Sequence, residues 1–183
     1  MNKETHLRMR EIKAKDLEVI VTLFKETVHH VNAKDYSTEQ LLVWAPHHIH
    51  QGDNRWKSLL DNIAYLVEID DVIVGFADIT SEGYLDRLFV HKDYQRQGIA
   101  SQLVKKLESL LLLRGVKKIT TEASITAKPF FEGMGYLVVK EQNKPRPGGV
   151  TLTNFLMEKR LDGRSINIDL LKNHPNVIPE LAA

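Results

Sequence analysis

The chain has 183 residues, no cysteine, and 25 Lys plus Arg against 24 Asp plus Glu, for a net charge of +1. That length suits one domain whose core needs no covalent staples. The missing thiols exclude a disulfide framework and a thiolate zinc site, the balanced charge leaves no nucleic-acid footprint, and no apolar run nears the roughly 20 residues of a membrane span.

The N-terminal MNKETHLRMREIKAKD lacks the hydrophobic segment of a secretory signal, so a soluble cytoplasmic protein is expected. Leu7 to Ile12 alternates apolar and charged residues and suits an opening strand. Asp16 then precedes the periodic run Leu17, Ile20, Val21, Phe24 and Val28, which predicts a helix over 16–31 capped by Asp16. Ser37 or Thr38 can cap a second helix bearing Leu41, Leu42 and Trp44, ended by Pro46. The stretch from Pro46 to Arg55 reads as an irregular polar loop. His47, His48 and His50 cluster there, but a metal site needs a further element and supporting partners, so a solvated loop is the reading and no metal is expected. Trp44, Arg55 and Trp56 beside this loop suit either substrate contact or packing.

Two β-rich runs, Ala64 to Ile69 and Val72 to Ile79, flank Asp70-Asp71 and predict a hairpin. Gly83 separates it from a third strand beginning at Tyr84. Such an antiparallel meander argues against a dinucleotide-binding fold, which places its glycine loop early in a parallel unit. Strand parity puts Tyr84, Asp86, Leu88 and Val90 on one face, with Leu85 and Phe89 on the other. A polar hinge, His91 to Tyr94, leads to Gln95-Arg96-Gln97-Gly98-Ile99-Ala100, after which Leu103, Val104, Leu107, Leu110 and Leu111 take up a helical period. Backbone N–H groups at such a helix start point outward, and a pyrophosphate can rest on them. Small residues in a tight turn between packed elements would use the same letters.

Arg114-Gly115 predicts the end of that helix. Lys117 to Ala123 follows as a strand, parallel to the central one because a helix crosses between them. Thr126 to Met134 reads as a short helix with Pro129 in its first turn. Tyr136 to Lys140 suits a strand, Asn143 to Gly149 a mobile loop, and Thr151 to Lys159 a last antiparallel strand.

This order of elements, with YQRQGIASQLVKKLE in the middle and KPFFEGMGY near the end, resembles the GNAT superfamily of acyl-CoA-dependent N-acetyltransferases. Gln95, Gly98 and Ala100 match the family's Gln/Arg-x-x-Gly-x-Gly/Ala loop. Phe130, Phe131, Glu132, Gly135 and Tyr136 match its later helix, and the likeness spans roughly residues 7–159. The resemblance implies an α/β (α+β) fold with a single mixed, mostly antiparallel central sheet flanked by helices. Residues 1–160 would form the domain and residues 161–183 a tail packing on it or extending it. It also implies acetyl-CoA as acyl donor, direct attack of a primary amine on the thioester, and a small-molecule or peptide amine as acceptor.

Carried over residue by residue, the diphosphate falls on Gln95, Arg96, Gln97, Gly98, Ile99, Ala100 and Ser101. The pantetheine arm lies along Leu88, Phe89 and Val90, near Ser124 and Phe131, and the Leu88 N–H polarises the carbonyl. Asp86 is the candidate base or ammonium anchor, with a plain salt bridge to Arg87 or a lysine as the alternative. Phe131 stands where many relatives carry a proton-donating tyrosine. The thiolate's proton would then come from Tyr136, Tyr84 or water. His29, His30, Tyr36, Trp44 and Arg55 are the acceptor-side candidates. A non-catalytic acetyl-CoA sensor is the alternative function, and a homodimer is possible; neither nucleic acid nor membrane is expected as a partner.

Overall fold

Asp70 and Asp71 both adopt positive φ, 50° and 65°, a conformation that short polar side chains tolerate and that a two-residue hairpin turn requires. They join β2 (Ile63–Ile69) to β3 (Val72–Ile79), and β4 (Tyr84–Val90) continues the meander. The computed structural model describes residues 6–49 and 52–161. Before the meander come β1 (Leu7–Glu11), α1 (Leu17–His30), α2 (Thr38–Trp44) and α3 (Asn54–Asp61). After it come α4 (Ile99–Leu113), β5 (Lys118–Ser124), α5 (Lys128–Gly133), β6 (Leu137–Pro145) and β7 (Thr151–Arg160). The seven strands form one sheet in the order β1-β2-β3-β4-β5-β7-β6. Among the described residues only β4 and β5 pair parallel; every other neighbour is antiparallel. This is the mixed, helix-flanked sheet the sequence implies. Residues 1–5, 50–51 and 162–183 lie outside the described residues, and with them His50 and most of the expected tail.

Two apolar clusters cover the sheet. α4 buries Ile99, Leu103, Val104, Leu107, Leu110 and Leu111 against Val67, Val74, Ala77 and Leu85 on one face. On the other, α1 and α3 bring Ile20, Phe24, Trp56 and Leu59 against Leu66 and Phe76. Burial of each such side chain contributes about 1.5–3 kcal/mol.

Four local expectations are corrected. Helix α3 was not anticipated: it is eight residues long, too short for its period to stand out, and packing of Trp56 and Leu59, both 0 % exposed, sustains it. Asp16 does not cap α1. Its carboxylate accepts from Lys13 N (2.8 Å) in a preceding 3-10 turn and from Arg10 Nη1 and Nη2 (2.7 and 2.9 Å). Arg10 in turn binds Glu68, drawing β1 onto β2. Strand β6 also runs further than foreseen, to Pro145 opposite Thr151, which shortens the expected loop. As an edge strand it can carry polar side chains and a proline.

The fourth correction concerns β4. Asp78 faces Arg87 but Ile79 faces Leu85, so Asp86 is an extra residue in a β-bulge. The bulge flips the parity. Leu85 joins Leu88 and Val90 on the α4 face, while Arg87 and Phe89 turn to the α1–α3 side.

Gly75 lies opposite Val90. A Cβ there would stand 2.7 Å from Ile99 Cγ2 and 3.2 Å from Phe89 O, so glycine lets the start of α4 press onto the sheet. Gly75→Ala is expected to lower stability by about 1–3 kcal/mol through overpacking. An unchanged urea midpoint would show that α4 shifts at no cost.

Candidate active site

The pairing of β4 with β5 extends over Tyr84↔Thr120 and Leu85↔Thr121. Beyond them the strands part, and a cleft of about 1010 Å³ opens between them. His91 N donates to Val74 O at 2.8 Å, which fixes the phase of the β3–β4 ladder. Directly opposed residues alternate between bonded and non-bonded pairs, so Leu88 and Val90 turn their backbone groups away from β3 and toward the gap. The Val90 carbonyl is already occupied by Thr27 Oγ1 (3.0 Å) and Gln95 Nε2 (2.6 Å). That leaves the Leu88 N–H and C=O, with the Val90 N–H, as the strand's groups aimed at the cleft.

The loop after β4 is held from within. Gln95 Nε2 also reaches His91 O at 3.2 Å, and Arg96 and Gly98 adopt φ of 63° and 78°. Gly98 is the N-cap of α4 and offers no side-chain cap. The first turn closes by Gln102 N to Gly98 O at 3.0 Å, which leaves the amides of Ile99, Ala100 and Ser101 without an acceptor inside the helix. A Cβ on Gly98 would meet nothing within 4 Å. Its side of the loop is open, and positive φ, rather than crowding, is what selects glycine there.

Under the bulge lies a buried ion pair. Asp78, 0 % exposed, accepts from Arg87 Nε (2.8 Å), Arg87 Nη2 (3.0 Å) and Asn62 Nδ2 (2.7 Å). Burial pushes the Asp78 carboxyl up to about 6 against the pull of Arg87. Arg87 further donates to the Arg55 carbonyl and Ser58 Oγ on α3, and its Nη2 lies 2.8 Å from Asp86 Oδ2. One guanidinium thus fastens β3, the bulge and α3 together. Asp86 is 39 % exposed and lines the cleft, so its pairing with Arg87 and its access to a ligand coexist.

Other expected residues divide. Tyr84, Leu88, Phe89, Val90, Gln95, Arg96, Gly98, Ile99, Ala100, Ser101, Ser124, Phe131, Tyr36, Trp44 and Arg55 all line the cleft. Burial pushes the Tyr84 hydroxyl up to about 12, with Glu122 adding to it. Tyr36 donates to Thr153 O (2.7 Å) and accepts from Ile125 N (2.9 Å), tying the first helices to the far limb of the sheet. Ser124 Oγ accepts from Ala127 N at 3.0 Å. Gln97 lies outside the lining. So does Tyr136, 1 % exposed behind Phe131 with ring centres 5.0 Å apart; burial raises its pKa. His29 is likewise withdrawn: its Nε2 meets Ala45 O at 2.8 Å and its ring stacks on His47. His30 bonds Glu26 O in its own helix. Sequence reasoning missed Arg146 and Glu122, both on the cleft wall. Neither sits in a motif, and only the strand pairing brings them there.

Residues 32–160 match the acetyltransferase (GNAT) domain family, and the chain belongs to it. It is an acetyl-CoA-dependent acyltransferase. An uncharacterised N-acetyltransferase, YafP of Escherichia coli strain K12, is 33 % identical over 153 residues, covering 83 % of this chain and 95 % of that one. A GCN5-related N-acetyltransferase structure from Rhodopseudomonas palustris superposes with TM-score 0.77 at 28 % identity, over 84 % of this chain and 95 % of its own. A PaiA N-acetyltransferase from Thermoplasma acidophilum, solved with coenzyme A, shares the fold at TM-score 0.65 and 19 % identity, over 85 % and 99 % of the two chains.

Asp78→Ala would leave the Arg87 guanidinium buried without its carboxylate, and is expected to destabilise by about 3–5 kcal/mol. Denaturant unfolding checks this. A loss below about 1 kcal/mol would mean that Arg87 escapes to solvent and that the bulge stands without it.

Proposed function

We propose that the chain transfers the acetyl group of acetyl-CoA to a primary amine by direct attack on the thioester. The observation that carries this reading is the conjunction of an uncapped α4 N-terminus with a strand whose Leu88 groups face the gap beside it. In this reading the diphosphate rests on the amides of Ile99 to Ser101, favoured by the helix dipole. The pantetheine arm follows β4 where β5 has departed, and Leu88 N–H donates to the thioester oxygen as charge develops on it.

Attack by nitrogen on the carbonyl carbon forms the C–N bond. Breaking the C–S bond expels the thiolate, and the amine loses its surplus proton. Asp86 stands at the bulge, beside the end of the gap, and takes that proton directly or through water. The carboxylate is held by Arg87, so it is oriented before substrate arrives. The thiolate has an ordinary pKa of about 8.5 and needs only a modest acid. Tyr84 lines the cleft and keeps its proton at neutral pH, so it or water supplies the proton; Tyr136, screened by Phe131, does not.

Two measurements test the reading. Gly98→Glu puts a carboxylate where the diphosphate would sit, and is expected to abolish acetyl-CoA binding in calorimetry while the circular dichroism stays native. Unchanged affinity removes the loop from the site. Asp86→Asn is expected to cut the rate by roughly 10²–10⁴ and to change the shape of the pH–rate profile. A profile of unaltered shape would make Asp86 a structural partner of Arg87 only.

A further inference from the structure

Five cations line the cleft, Lys34, Arg55, Arg87, Arg96 and Arg146, against two acids, Asp86 and Glu122. Both acids are engaged. Asp86 pairs with Arg87, and Glu122 accepts from Lys144 Nζ (2.8 Å), Gln142 Nε2 (3.2 Å) and Asn154 Nδ2 (3.2 Å). Arg87 is satisfied by Asp78, and Arg96 stands on the loop before α4.

Arg55 and Arg146 are the guanidiniums that remain. Among the described residues neither guanidinium has a carboxylate or carbonyl within hydrogen-bond reach. Arg55 lies against two rings instead, 5.1 Å from the centre of Phe24 and 5.3 Å from that of Trp56, which fixes its plane. Burial and the field of Arg87 lower its pKa, Asp86 and Asp53 oppose them, and Arg146 adds the smallest lowering. Arg146, on the turn before β7, lines the same cleft. Like charges in a partly desolvated cleft repel each other, and an anion held by both guanidiniums would relieve that repulsion. Asp86 is a near neighbour of Arg55. Arg87 donates to the Arg55 carbonyl with one nitrogen and pairs with Asp86 through another, so the Arg55 backbone and the Asp86 carboxylate are a single guanidinium apart.

We propose that the acceptor is an amine that also carries an anionic group, a carboxylate or a phosphate, with its nitrogen toward Asp86 and its anion on Arg55 and Arg146. This rests on the amine-acetylation reading above. A planar guanidinium can bind either anion through two parallel hydrogen bonds. Polyamines, with no anion to offer, meet an excess of positive charge and are poor acceptors here.

The test is coenzyme A release with matched pairs: phenylalanine against phenethylamine, β-alanine against ethylamine, and phosphoethanolamine against ethanolamine. At least one anionic member should exceed its neutral partner in kcat/KM by roughly tenfold or more, the effect of one charged hydrogen-bonded contact. The pair that responds tells carboxylate from phosphate. Arg55→Gln should collapse that ratio, and Arg146→Gln is the second variant should the first not fold; calorimetry with acetyl-CoA reports whether each retains its fold. Acetylation with no anionic preference, or a ratio that neither variant alters, overturns this inference alone. Acetyl-CoA binding without turnover of any amine overturns the reaction proposed above, and this inference with it.

Discussion

The parting of β4 from β5 after Leu85 is the constraint on which the site depends. Sheet hydrogen bonds are obligatory for buried backbone, and a strand that loses its neighbour exposes donors and acceptors that something must satisfy. Here the bulge at Asp86 turns β4 away. It leaves Leu88 facing open space, and it lifts Asp86 to the rim of the same opening. A flat, fully paired sheet of this composition would bury the same apolar residues and have no site. The fold's defect and its cleft are one feature.

That defect is held open electrostatically. Arg87 is 8 % exposed and would be costly to bury alone, while Asp78 opposite it is fully enclosed. Together they satisfy one another, and the remaining nitrogens of Arg87 reach Asp86 and α3. A pair of this kind adds little net stability compared with apolar packing. What it adds is specificity of arrangement. The register of the bulge, the orientation of the Asp86 carboxylate and the position of the helix bearing Arg55 are set by a single side chain.

Much of this was legible in the sequence because the informative signals were local. Alternation gave the strands, the period of Leu103, Val104, Leu107 and Leu111 gave α4, and Gln95, Gly98 and Ala100 marked the loop between. What failed was non-local. The Asp86 bulge leaves no mark in the chain, since it exists only as a mismatch with Asp78 and Ile79 on another strand, and parity therefore placed Leu85 on the wrong face. Helix α3 is built by burial of Trp56 and Leu59 rather than by propensity. Tyr136 looked available as an acid because it is a tyrosine close in sequence to Phe131, yet its ring is inside the core behind Phe131. Arg146 and Glu122 reach the cleft through the pairing of β7 between β5 and β6, which no motif announces.

By bridging the Val90 and His91 carbonyls, the Gln95 carboxamide holds the turn into α4 in shape from within the chain. Ordering a floppy segment would tax each encounter with a visiting molecule. A segment already set spends no freedom on arrival, so residence there is governed by the grip of the contacts themselves. On the reading proposed above, the coenzyme's departure after reaction would be a matter of breaking those contacts, without any need for the chain around them to unwind.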